Sequence, residues 1–124
     1  MLQYLLLVGV GGALGAMARY SVDQVAAYYV GSTLLGTFFA NISGSLVLGL
    51  LVGVLSNHDI WPAETRMFLG VGFLGSYTTF STLSLATAQL LQKGDWSTAA
   101  LNLGASIVLG IGAALVGLMV GKSI

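Results

Sequence analysis

The residues from Gly70 to Leu83, Gly-Val-Gly-Phe-Leu-Gly-Ser-Tyr-Thr-Thr-Phe-Ser-Thr-Leu, put three glycines and six hydroxyl side chains inside an otherwise apolar run. In hydrocarbon every backbone N–H and C=O needs an internal partner, so irregular backbone at membrane depth survives only where protein buries it or where it lines a wet cavity. A plain spanning helix has no use for this composition. The stretch predicts a helix broken near Gly75 to Thr78, with carbonyls released from the i→i−4 ladder facing inward and hydroxyls and the Phe80 ring lining whatever passes. The same spacing also fits an unbroken helix whose glycines let a neighbour pack closely.

The surrounding chain sets the solvent. Of its 124 residues, 56% are hydrophobic and 6% charged, whereas a soluble domain carries about 25% charged residues. An integral membrane protein is the class that fits. The apolar runs divide into four expected spans in a single domain over 1–124, at about 2–29, 33–55, 67–91 and 97–120, each of a length that suits a hydrocarbon core of about 30 Å. No basic stretch precedes the first run, which is therefore expected to be a span and not a cleaved leader. The chain has no cysteine and one histidine, His58, so no disulfide, thiolate site, Ser-His-Asp triad or histidine cluster can be built within one subunit. An enzyme is not expected, nor a nucleic-acid partner.

The few polar residues inside the spans are the candidates for function. Arg19 and Asp23 stand four apart and are expected to share a helix face and partly neutralise each other. Arg19 suits either a snorkelling anchor or a vestibule residue. Asn41, Ser45, Gly49 and Gly53 repeat every four residues and form one stripe, which must face protein, because an unpaired amide in hydrocarbon costs several kcal/mol. Asn41 is then either glue between helices or a border of an ion path. Asn102, Ser106, Gly110 and Ala114 form a second such stripe. In the third span Phe80, Leu83, Ser84 and Thr87 fall on one face, mixing a ring with hydroxyls. His58, Asp59 and Glu64 read as loop residues without the convergence of a metal site. Gly11/Gly15 and Gly12/Ala16 have the spacing of close helix packing.

Charge leaves the orientation undecided. Four spans put Arg66 and Lys122 on one side of the membrane and Arg19 and Lys93 on the other, a tie that gives no positive-inside signal. Four short helices enclose little, so an antiparallel, dual-topology homodimer is the economical assembly. In it the two broken helices meet at a two-fold axis, and the carbonyls of Gly75 and Thr78 from both subunits enclose one central cation.

Three separated motifs sharpen this reading. Gly72-Phe-Leu-Gly-Ser-Tyr-Thr-Thr-Phe-Ser-Thr82, Gly11-Gly-Ala-Leu-Gly15 leading to Arg19-Tyr20, and Gly36-Thr-Phe-Phe-Ala-Asn41 leading to Gly44 together resemble the Fluc/CrcB family of fluoride channels along essentially the whole chain. The resemblance implies a passive fluoride-selective channel in the bacterial plasma (inner) membrane, releasing cytoplasmic fluoride through two antiparallel pathways. It also implies a structural sodium ion on the carbonyls of Gly75 and Thr78 at the dimer centre. Asn41, Phe80, Ser81, Thr82, Leu83, Ser106 and Arg19 are the pathway residues it suggests. Leu83 departs from the family, which usually places a second phenylalanine there, and Ala86 stands where an acidic residue is expected. The alternative is a small dual-topology exporter of hydrophobic cations, which needs an acid inside the membrane. The four acids, Asp23, Asp59, Glu64 and Asp95, are read at span ends or in loops, against that alternative. An assembly subunit without transport would explain the glycines but not the hydroxyl-rich break.

Overall fold

Helix α1 (Leu2–Val30) ends where Gly31 turns left-handed, with φ 77° and ψ 19°, and returns its N–H to the Ala27 carbonyl. A β-carbon is strained in that conformation, so glycine suits the turn. Extended Ser32 then starts α2 (Thr33–Asn57). After Pro62 a third rod, α3, covers residues 63–77. It begins and finishes as α-helix, at Ala63–Thr65 and Gly75–Tyr77, and is π-wound between, over Arg66–Leu74. Two extended residues separate it from α4 (Phe80–Gln92). A turn with Gly94 at φ 80° leads to α5 (Trp96–Ser123), whose first turn is capped by Asp95 accepting from the Thr98 N–H. The structure, a computed structural model, describes residues 1–58 and 61–124. The expected loop position of Asp59 lies outside them.

Among the described residues the fold is all-α. Helices α1, α2 and α5 are each long and apolar enough to cross a bilayer, and the chain is a multi-pass membrane protein. Their side chains are apolar nearly all round, so no amphipathic face selects which side packs. Glycine does. Along the α2–α5 seam a β-carbon on Gly49 would overlap the backbone of Ala114, one on Gly53 would come within 2.6 Å of the Leu118 carbonyl, and one on Gly117 would strike the Leu46 carbonyl. The α1–α3 seam works the same way, with Gly11 against the Phe68 carbonyl, Gly15 against that of Phe73, and Gly72 against Val8 and Gly11. Because lipid tails are as apolar as leucine, close van der Waals fit, and not burial of oily side chains, favours association of such helices. The buried hydrophobic side chains are accordingly few and mostly small: Ala26, Ala40, Leu74, Leu83 and Ala99.

Two expectations shift. The break lies beyond Gly75, which has ordinary helical dihedrals (φ −63°, ψ −32°); the extended residues are Thr78 and Thr79. Glu64 is not in a loop but in the first turn of α3, where its Oε1 accepts a hydrogen bond from Gln3 Nε2 at 3.2 Å.

Candidate functional site

The break is a junction made of threonines. Thr78 still closes the helix behind it, donating from both N–H and Oγ1 to the Leu74 carbonyl at 3.1 and 3.0 Å. Thr79 has left the ladder, and its orphaned groups are met from α2. The Thr79 N–H donates to Asn41 Oδ1 at 2.8 Å, and Asn41 Nδ2 donates to the Thr79 carbonyl at 3.0 Å. One primary amide thus pairs with one residue's backbone, as a neighbouring strand would, and fixes which end of the Asn41 side chain is oxygen. The side chain therefore holds the break together, and one N–H of Nδ2 is left over for another acceptor.

Thr79 also starts the next helix. Its Oγ1 accepts from the Thr82 N–H at 3.3 Å and lies 3.2 and 3.1 Å from the hydroxyls of Thr82 and Ser81. This is an N-cap, which occupies one of the unpaired N–H groups at the helix start. The hydroxyls of Ser81 and Thr82 serve the cap. The N–H groups of Phe80 and Ser81 find no acceptor among the described residues.

A cavity of about 420 Å³ opens beside this junction, lined by Asn41, Thr79, Phe80 and Leu83 on one wall and by Ser45, Ser106 and Ile107 on others. Ser106 is 7% exposed and its Oγ has no hydrogen-bond partner. Leu83 is equally buried, whereas Phe80 is 78% exposed and stands at the rim. The lining contains no charged side chain. It offers N–H and O–H donors in an otherwise apolar wall, the setting that suits a small anion stripped of water. Asn102 is not part of it and lies instead in a separate cavity near Phe38.

Arg19 is elsewhere. Its Nε donates to the Ser76 carbonyl at 3.2 Å, and neither residue lines the cavity; this places a cation at the carboxyl end of α3 where orphan carbonyls gather. Arg19 and Asp23 share a face of α1 and their charges partly offset each other, but no hydrogen bond joins them: Asp23 Oδ1 is buried without one, next to Gly36, where an added β-carbon would come within 2.7 Å of it. Asp23 is also further inside the fold than a span-end position implies. The carbonyls of Gly75 and Thr78 carry no donor among the described residues. Gly75 is exposed and Thr78 half-buried, with the Thr78 methyl seated in the notch left by Gly44. Beside it the Tyr77 hydroxyl lies 3.0 Å from Ser43 Oγ.

Of the pathway residues expected from the sequence, the structure puts Asn41, Phe80, Leu83 and Ser106 on this cavity, while Ser81 and Thr82 are outside its lining and serve the cap; Thr79, the hub, was not among those expected. The missed signal was Thr79 three residues before Thr82, a hydroxyl in N-cap position ahead of a helix.

The chain matches the family described as "CrcB-like protein, Camphor Resistance (CrcB)" over residues 6–118. It is 44% identical over 119 residues to a protein of Hydrogenovibrio crunogenus named "Fluoride-specific ion channel FluC", covering 95% of this chain and 90% of that one. A protein of the same name from Nitrobacter winogradskyi is 40% identical over 118 residues, 94% of each chain. Another from Campylobacter jejuni is 40% identical over 123 residues, covering 98% of this chain and all of that one.

Proposed function

The chain belongs to the CrcB-like family, and from that premise we propose that it is a subunit of a passive fluoride-selective channel through which cytoplasmic fluoride leaves the cell. The observation that carries this is the cavity at the break. Fluoride is small and strongly hydrated, so a path for it must replace water with donors. Here the start of α4 lies at the cavity beside the Asn41–Thr79 pairing, and the N–H group of Phe80, the spare N–H of Asn41 and the unpartnered Ser106 hydroxyl are such donors. Phe80 adds the electropositive edge of its ring. Ser81 and Thr82 act through the cap, Leu83 shapes the wall, and Arg19 holds the end of α3.

The two-piece helix α3–α4 supplies the fourth crossing, and the working unit is an antiparallel homodimer. Phe80 is open to the outside of a single chain, and Gly9, Gly104 and Gly112 have nothing from their own chain beside the space a β-carbon would take. Small residues on open helix faces suit a partner helix. The donor-free carbonyls of Gly75 and Thr78 fit a sodium ion shared between two such breaks, since hard cations take oxygen ligands. Such an ion supplies charge that offsets carbonyl dipoles brought face to face.

A cation exporter requires a carboxylate in the transport cavity, and none lines this one. Purified protein in fluoride-loaded vesicles, followed with a fluoride electrode, tests the reading. Release far faster than from protein-free vesicles, with chloride retained, is expected; release at the protein-free rate overturns it.

A further inference from the structure

A second opening has no part in the pathway. Between α2 and α3 lies a groove of about 520 Å³, walled by Leu48, Leu51, Val52 and Leu55 from α2 and by Gly70 and Val71 from α3, and ending at Ser56 and Arg66. The π-wound stretch Arg66–Leu74 forms its second wall. Within that stretch Gly70 contributes no side chain, and a β-carbon there would just touch Leu51 Cδ2 at 3.6 Å.

Three observations say what covers it. The groove runs along α2 from position 48 to position 56, about 12 Å at 1.5 Å per residue, most of the roughly 15 Å depth of one leaflet. Arg66 closes the end near the connection between α2 and α3 and is exposed there, in the segment that also carries exposed Trp61, a residue type that settles at the membrane–water interface. None of the described carboxylates pairs with that guanidinium: Glu64, two residues away, is engaged with Gln3. A cation at the headgroup level above an apolar trough has the charge and polarity of one ligand class. We propose that this groove binds an anionic phospholipid, its phosphate paired with Arg66 by the two-pronged geometry that guanidinium offers, and one acyl chain lying against Leu51, Val52 and Gly70.

In an antiparallel dimer each leaflet has one such groove. The site nevertheless requires only that the chain spans a bilayer, so it stands or falls apart from fluoride conduction.

The chain's two tryptophans, Trp61 and Trp96, make the test direct. In a Trp96→Phe background, Trp61 emission is quenched with increasing mole fractions of brominated phosphatidylglycerol or brominated phosphatidylcholine in vesicles. Half-quenching by the anionic lipid is expected at about a fivefold lower mole fraction, the scale of one arginine at a charged surface. Arg66→Gln abolishes that preference while leaving quenching by phosphatidylcholine in place, and Gly70→Leu, which fills the trough, weakens quenching by both. Equal half-quenching points for the two lipids, or a preference kept by Arg66→Gln, overturn the proposal. So does spontaneous disulfide formation between subunits in a Val52→Cys, Val71→Cys variant, because a second copy then occupies the groove.

Discussion

Asn41 and Thr79, 38 residues apart, are joined by two hydrogen bonds that use both ends of one side-chain amide and both backbone polar groups of one residue. The break in the third helix is therefore not loose chain. The N–H and C=O that Thr79 loses from the ladder are both met from α2, at the depth where water is absent and an unmet N–H or C=O costs several kcal/mol.

Replacing Asn41 tests that pairing. Asn41→Asp keeps the acceptor for the Thr79 N–H but sets a carboxylate oxygen against the Thr79 carbonyl and brings negative charge to an anion path. Fluoride release is expected to fall at least about a hundredfold, near 3 kcal/mol, the upper range for an unmet buried group. Vesicle efflux and a size-exclusion profile check it; unchanged transport by Asn41→Asp makes the residue glue alone.

Ser106 is expected to behave oppositely toward fold and function. Its hydroxyl is buried and unpartnered, so Ser106→Ala removes a desolvated group and leaves thermal stability unchanged or raised by about 1 kcal/mol. Fluoride release slows. A variant that melts early while conducting normally contradicts both halves.

Gly75 and Thr78 separate backbone from side chain. Thr78→Ala keeps the carbonyl and loses only the bond to Leu74 and a methyl in the Gly44 notch, so it should be mild, about 1–2 kcal/mol. Gly75 has helical dihedrals, and the nearest atom of its own chain to an added β-carbon is the Gly70 carbonyl oxygen at 3.6 Å. If Gly75→Val abolishes assembly while Gly75→Ala and the helical content of the Val variant are normal, the obstruction lies in a partner subunit. Dimer recovery by light scattering decides; a normal, active Gly75→Val dimer removes the shared ion site.

The glycine seams divide into filled and open positions. Gly49→Ala and Gly117→Ala drive a methyl into backbone and should cost about 2–3 kcal/mol each, as overpacking does. Gly104→Ala and Gly112→Ala meet nothing in the same chain and should leave the subunit fold intact, so any loss they cause reports on association. Thermal melts in detergent beside dimer dissociation measurements distinguish the two pairs.

The broken helix was legible because Gly70, Gly72, Gly75 and the hydroxyls after them are out of place in lipid. Its exact seat was not: the glycines drew attention to Gly75, whereas the chain turns extended at Thr78 and Thr79, where the N-cap made by Thr79 decides. The π winding from Arg66 to Leu74 has no local signature, since the same residues satisfy either hydrogen-bond period. Asn41 was marked as costly, but its partner lay across a separation that no spacing rule reaches. Arg19 and Asp23 act on each other across the four-residue spacing, but the hydrogen bond from Arg19 to the Ser76 carbonyl is a tertiary contact that no local spacing gives.

The α2–α5 seam has a consequence for how the chain is made. The notch at Gly53 is filled by backbone around Leu118 and Gly121, which a ribosome working at about 5–20 residues per second delivers roughly 3–14 s later. Throughout that interval α2 is in the bilayer with its closest-fitting surface bare, and any other freshly inserted helix with small residues can take the place of α5. Slowing synthesis between Asn57 and Trp96 lengthens that exposure, so the yield of correctly assembled protein depends on the tempo of translation as well as on the sequence it reads.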